Sequence, residues 1–169
     1  ERLLLAYNSG IFPWFEDGEE ITWFAPEYRM VLPINQYKPK KSVRNLINRN
    51  ILKCTINQNF ESVIQNCQQA KRANQMGTWI TDEIITAYTI LNKDGKALSR
   101  KIKKKNELVG GLYGVMLGRI FCGESMFSKL SNASKIAFDY LVSYLKDENF
   151  ILIDGQVYNE YLEQLGFIE

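Results

Sequence analysis

Residues 97–153 carry the pattern that most restricts what this chain can fold into. Three β-prone runs, Ala97–Lys103, Glu107–Leu117 and Arg119–Glu124, follow one another with only Lys105-Asn106 and Gly118 as turn signals. Turns that short join neighbouring antiparallel strands, so the segment predicts a three-stranded meander. The next periodicity is helical: Ala133, Ile136, Ala137, Tyr140, Leu141, Tyr144 and Leu145 fall on one face of Asn132–Lys146. Phe150–Ile153 is then an apolar run suited to a central strand, and Tyr158–Leu165 reads as a closing helix. A meander, a long amphipathic helix and a returning strand predict an α+β fold, with a mixed, mostly antiparallel sheet and flanking helices.

The first half is less regular. Residues 1–8 read as a short helix stopped by Ser9-Gly10. An aromatic stretch broken by Pro13, Gly18 and Pro26 follows, with a short strand expected around Ile21–Phe24. Met30–Pro33 and Ile51–Ile56 read as strands, Val43–Asn48 as a basic helix capped by Ser42, Phe60–Cys67 as a helix and 68–77 as a loop. Thr81 is a good N-cap for Asp82–Leu91, and Asp82 and Glu83 suit the positive end of that helix. A small N-terminal domain is expected over 1–32 and the main domain over 33–169.

The 169 residues include no histidine. That removes Ser-His and Cys-His nucleophile pairs, His-based zinc sites and imidazole bases in one step. Any catalysis must use carboxylates, amides, hydroxyls, lysine or the substrate itself. Cys54, Cys67 and Cys122 are far apart and odd in number, which fits neither a disulfide framework nor zinc-ligand spacing and favours a reducing compartment. No apolar run approaches the roughly 20 residues of a membrane span. A cytoplasmic monomer with no metal and no cofactor is expected. Net charge is only +2, but Lys38, Lys40, Lys41, Arg44 and Arg49 cluster, as do Arg100, Lys101, Lys103, Lys104 and Lys105. Each cluster reads either as a solvated face or as a set of phosphate contacts.

Two carboxylates stand out. Asp154 and Gln156 are two apart at a strand end, which puts their side chains on one face if the strand continues. The plainer reading of Asp154 is a cap on the strand end. Glu124 lies beside Phe121, Met126 and Phe127, so it is either paired, with Lys135 or Arg119, or functional.

The segments GIFPWF (10–15), GTWIT (77–81), LVGGLYGV (108–115), FCGESMFS (121–128), NASK (132–135) and LIDGQV (152–157) occur in this order. Together they resemble the bacterial leucyl/phenylalanyl-tRNA–protein transferase family over nearly the whole chain. The resemblance implies an acetyltransferase-like (GNAT-like) fold behind a small N-terminal domain. It implies transfer of Leu or Phe, and less well Met, from aminoacyl-tRNA to proteins beginning with Lys or Arg, which marks them for N-end-rule degradation. By the same resemblance Asp154 and Gln156 form the catalytic pair. Leu112, Glu124, Leu141, Leu145 and Ile153 line the aminoacyl pocket, and Trp14, Trp79 and Phe121 surround the 3′-terminal adenosine. Tyr7 and Asn159 line the site, and Lys38, Lys41 and Arg44 meet the tRNA backbone. The bland readings are core packing for the apolar residues and domain packing for the rings.

The chain also departs from that family. Ala97-Leu98-Ser99-Arg100-Lys101-Ile102-Lys103 replaces a pattern Ala-His-Ser-Val/Ile-Glu-Val-Trp, Gly155 stands for a cysteine and Tyr161 for a histidine, and both ends read as trimmed. The altered strand keeps open a non-catalytic tRNA- or peptide-binding relative. A CoA-dependent N-acetyltransferase is disfavoured, because Ser128–Asn132 offers no glycine-rich turn for a pyrophosphate.

Overall fold

The computed structural model describes residues 1–15, 18–70 and 78–169. In chain order these form α1 (Arg2–Asn8), the strand pair β1 (Phe12–Pro13) and β2 (Trp23–Phe24), and β3 (Val31–Pro33) with a 3-10 turn at Ile34–Gln36. Then come α2 (Lys41–Asn48), β4 (Leu52–Ile56), α3 (Phe60–Gln68) and α4 (Asp82–Lys93). The remainder is β5 (Ala97–Lys104), β6 (Glu107–Leu117), β7 (Ile120–Ser128), α5 (Ala133–Asp147), β8 (Leu152–Asp154) and α6 (Glu160–Leu165). Residues 71–77 of the expected loop lie outside the described residues.

The predicted meander is the centre of a six-stranded sheet ordered β3-β8-β7-β6-β5-β4. All its pairings are antiparallel except β7 with β8, which run parallel. The parallel pairing follows from the long α5 crossover, which returns the chain to the same end of the sheet before β8 begins. β3, which straddles the boundary expected at residue 32, is the far edge of this sheet and pairs with β8.

Period-2 alternation gives the sheet two buried faces. On one, Leu98, Ile102, Leu112, Phe121 and Ile153 pack against Ile136, Ala137, Leu141 and Leu145 of α5. On the other, Ala97, Tyr113, Val115, Cys122 and Phe127 pack against Val63, Ile64 and Cys67 of α3, Ile84 and Tyr88 of α4, and Tyr7, Phe12 and Phe15. Gly114 is needed for the first packing, since a Cβ there would stand 2.5 Å from the Phe121 ring and 2.2 Å from the Cys122 carbonyl oxygen.

Several boundaries move for local reasons. Thr81 caps α4 as expected, its Oγ1 accepting the Ile84 N–H at 3.4 Å. Ser42 is not a cap: α2 starts one residue before it, on extended Lys40 just after Pro39, with no side-chain cap bond. β7 runs four residues past Glu124 because β6 remains its partner as far as Ser128. All three cysteines are free thiols. No helix among the described residues is long and apolar enough to cross a membrane.

Candidate active site

The parallel ladder of β7 and β8 ends at the pair Cys122–Asp154, while β7 continues along β6. The two strands therefore stop pairing there. Glu124 lies just beyond that point, in a β-bulge. Tyr113 faces Ser125 and Gly114 faces Gly123, so Glu124 is the extra residue on β7. Such a bulge breaks the ladder locally and re-aims a side chain. The Glu124 carboxylate turns to the α4 side, where Tyr7 donates to Oε1 at 2.5 Å and Tyr88 donates to Oε2 at 3.2 Å. The two phenol oxygens are themselves 2.6 Å apart.

Gln156 completes this group, its Nε2 donating to Glu124 Oε1 at 2.9 Å. Its route there corrects the sequence expectation. Gln156 does not share a strand face with Asp154, because β8 ends at Asp154 and Gln156 has a left-handed backbone with φ 67. The cause is a short side-chain turn: Asp154 Oδ1 accepts the Gln156 N–H at 2.8 Å, which draws the chain out of the strand. Asp154 thus fixes the backbone of Gln156, and Glu124 holds its amide. The other carboxylate oxygen, Asp154 Oδ2, takes Nη1 of Arg29 at 2.5 Å. Arg29 also donates Nη2 to the carbonyl oxygen of Gly10 and lies 5.4 Å from the centre of the Phe12 ring. Asp154 is therefore more than a strand cap. Neither suggested cation pairs with Glu124: Arg119 Nε donates to the Asn149 carbonyl oxygen and Lys135 sits over the Tyr161 ring.

Burial dominates the electrostatics around Glu124. Burial raises the Glu124 carboxyl to about 7; the hydroxyls of Tyr7 and Tyr88 and the Gln156 amide oppose that rise, and the charge of Asp154 adds to it. Burial and then Glu124 push both tyrosines well above the ordinary phenol range, so they stay protonated donors. Burial, with Glu124 and Asp154 beside it, likewise raises the Cys122 thiol and keeps it neutral.

The apolar residues lie elsewhere. Leu112, Leu141, Leu145 and Ile153 are closed in the core on the α5 face, none more than 2% exposed. They are on the opposite side of the sheet from the Tyr7–Tyr88–Glu124 group. Phe121 is also on the α5 face at 1% exposure, so no ring face is open for stacking, and it does not join Trp14 and Trp79. β7 alternation is the reason: Phe121 must point opposite to Cys122. Trp14 is 45% exposed at the tip of an aromatic cluster with Phe12 and Phe24. Trp79 is half-buried just before Thr81 and packs on the α4 side of the sheet. Asn159 caps α6, accepting the Tyr161 N–H at 2.8 Å. Lys38, Lys41 and Arg44 are exposed at and before α2.

Sequence reasoning missed Tyr88 and Arg29. Tyr88 was an apolar position on a predicted helix, and Arg29 a lone cation after a proline-broken segment. Only the fold brings them to residues 36 and 125 positions away.

Comparisons with known proteins bear on the chain as a whole. The family described as leucyl/phenylalanyl-tRNA protein transferase matches residues 31–169, and its N-terminal domain matches 1–27. A leucyl/phenylalanyl-tRNA–protein transferase of Flavobacterium johnsoniae is 58% identical over 166 residues, covering 98% of this chain and 78% of the relative. The protein of that name from Flavobacterium psychrophilum is 55% identical over 166 residues, covering 98% of this chain and 79% of its own length. Among solved structures, FemX is similar in fold with a TM-score of 0.63 at 11% identity, covering 99% of this chain and 65% of FemX.

Proposed function

This chain belongs to the leucyl/phenylalanyl-tRNA–protein transferase family, and from that membership we propose that it moves Leu or Phe, and less readily Met, from aminoacyl-tRNA to the N-terminal α-amine of proteins beginning with Lys or Arg. On this reading it works as a cytoplasmic monomer, and its products enter N-end-rule degradation. The mixed sheet with its parting parallel pair is read as an acetyltransferase-like scaffold, with residues 1–32 as the small domain before it. The observation that carries the proposal is the meeting of Asp154, Gln156 and Glu124 where β7 and β8 separate.

The chemistry suits a chain without histidine. An aminoacyl ester is already activated, so the reaction needs an oriented amine and a place for one proton. The acceptor α-amine has an ordinary pKa near 8 and must attack in its neutral form. Gln156 is held at its backbone by Asp154 and at Nε2 by Glu124, which leaves Oε1 to accept a hydrogen bond from the attacking amine. An amide is too weak a base to take the proton. Glu124, brought by burial to about 7, titrates in the working range and receives it, the two phenols stabilising the carboxylate until then. The amine nitrogen bonds to the ester carbonyl carbon, the bond to the ribose oxygen breaks, and the proton passes to that oxygen.

Leu112, Leu141, Leu145 and Ile153 are read as the lining for the donor side chain, which their closed packing must open to admit, with Phe121 beside them rather than as an adenosine platform. Trp14 and Trp79 serve the 3′ adenosine, a stacked base being worth about 1–3 kcal/mol. Tyr7 and Asn159 border the site, and Lys38, Lys41 and Arg44 contact phosphates without reading sequence. An acetyltransferase reading is weaker for a local reason: Ser128 Oγ already accepts the Ser134 N–H at 3.2 Å in the first turn of α5, where a pyrophosphate would sit. Incubation with Phe-tRNA, then Leu-tRNA, and a protein beginning with Arg tests the proposal. A mass gain of one Phe or Leu residue at that N-terminus is expected, and an unmodified protein with both donors overturns it.

A further inference from the structure

Two of the basic residues that set β5 apart from the family pattern share one face, while the third, Arg100, lies over the Tyr144 ring of α5 on the other. Lys101 and Lys103 flank Ile102, which packs in the core on the α5 side, so both lysines point to the α3 side. In the neighbouring ladder Lys53 of β4 lies opposite Lys103, and Thr55 opposite Lys101. Like charges facing each other weaken an antiparallel pair. Lys101 is only 6% exposed, and burial, then the charge of Lys103, draws its ammonium below the usual range. The Oγ1 of Thr55 is buried with no hydrogen-bond partner. Among the described residues the one salt bridge is Arg29–Asp154, so no ion pair within that set neutralises these lysines. The β4–β5 edge therefore holds concentrated positive charge and an unused hydroxyl, the complement of an anion.

Position says which anion. The register sets Asp154 level with Cys122, Val115 and Ala97, so Lys101 and Lys103 lie four and six residues farther along β5. β5 and β4 are three and four strands from β8, and the two offsets together put the lysines roughly 20–28 Å from Asp154, at about 4.8 Å per strand and 3.3 Å per residue. A nucleic-acid duplex presents on the order of ten phosphate charges over that span. The patch is also continuous with exposed α2. Lys104 pairs with Leu52, three residues after Arg49, and Lys105 is exposed at the turn. Resting on the transferase reading above, we propose that the β4–β5 edge, centred on Lys53, Lys101 and Lys103, is a second tRNA-backbone site, which holds phosphates while the 3′ end lies at Asp154 and Gln156.

The test is binding of uncharged tRNA across a salt series. For the double variant Lys53→Gln, Lys103→Gln, affinity at low salt should fall about 10-fold or more. The slope of log affinity against log salt should flatten by about 1.4–1.8, two phosphate contacts' worth. A second variant, Lys101→Met, should raise the melting temperature by removing a covered, unpaired charge, yet weaken tRNA binding. Loss of both stability and binding in Lys101→Met would mean that Lys101 only supports the fold, against the proposal. An unchanged salt slope in the double variant, with the wild type still transferring Phe, would leave the lysines as guards against edge-strand pairing and overturn this inference alone. Weakened binding of an acidic acceptor protein with unchanged tRNA binding would overturn it too. A wild-type protein that neither binds tRNA nor transfers Phe would overturn the transferase reading with it.

Discussion

The two faces of the sheet are built from the same strands yet do opposite work. On the α5 side the residues are aliphatic and aromatic, fit against one long helix and are almost wholly covered. On the α3 and α4 side, burial is as deep around Tyr88 and Tyr113, but it also covers a carboxylate held by phenols and an amide. The first face stabilises by excluding water. The second tolerates a group that water would solvate better, because every oxygen of Glu124 has a donor. The contrast teaches that one period-2 sheet can keep a closed apolar core and a hydrogen-bonded carboxylate group on separate sides.

The largest effect should come from placing the second kind of residue on the first kind of face. Leu112→Asp puts a carboxylate among residues at most 2% exposed, with no donor there to meet it. A loss of several kcal/mol of stability is expected in urea titration, along with loss of Leu and Phe transfer. Normal stability would show that this face is not the closed core described here.

Next in size is the chemistry of the polar face. Gln156→Ala should lower turnover on the order of 100-fold or more, equivalent to about 3 kcal/mol, with little change in donor affinity. Single-turnover transfer with saturating aminoacyl-tRNA separates the two. Near-normal turnover would leave proximity and ester reactivity as the whole mechanism.

A smaller effect concerns stability against pH. The Glu124 carboxyl is raised from its ordinary 4.5 to about 7 in the fold, so the folded chain binds the proton more tightly than the unfolded one. Its contribution is then most favourable below pH 4.5, declines as pH rises to about 7, and is level above that. Glu124→Gln should therefore gain stability relative to wild type on going from pH 4.5 to pH 8, by about 1–3 kcal/mol. Equal differences at both pH values would mean that the carboxylate is better solvated than its surroundings suggest.

The finest test is Tyr88→Phe. The Tyr88 hydroxyl bond holds the Glu124 carboxyl down against burial, so its removal should shift the Glu124 limb of the pH–rate profile to higher pH by up to about one unit. Activity at pH 7 should drop several-fold and recover at pH 8. A uniform loss at every pH would point to packing rather than protonation.

The meander, α5 and the Thr81 cap were legible because their signals are local: short turns, a 3.6-residue period and one hydroxyl before an acidic turn. The motifs also singled out Asp154 and Gln156 as a pair and Glu124 apart from them, and the fold brings the three together. Their relations were not legible. Nothing along the strand betrays that Glu124 is a bulge residue, since a bulge is defined by counting across to β6. The left-handed turn at Gln156 depends on Asp154 capping it, a competition between side chain and strand that alternation alone decides wrongly. Phe121 was assigned to the rings around the adenosine, but only strand parity fixes which face it takes.

The place of β8 has a consequence for the chain during its own synthesis. β3 pairs with β8 and with Ile168 beyond it, and Arg29 pairs with Asp154, all of them made late in the chain. A ribosome adding about 5–20 residues per second takes roughly 6–24 seconds to travel from Pro33 to Asp154. Throughout that interval the emerging β3 has no strand to dock on, and the aromatic hairpin lacks its anchor. Asp154 and Gln156 therefore meet Glu124 only after nearly the whole chain has been made.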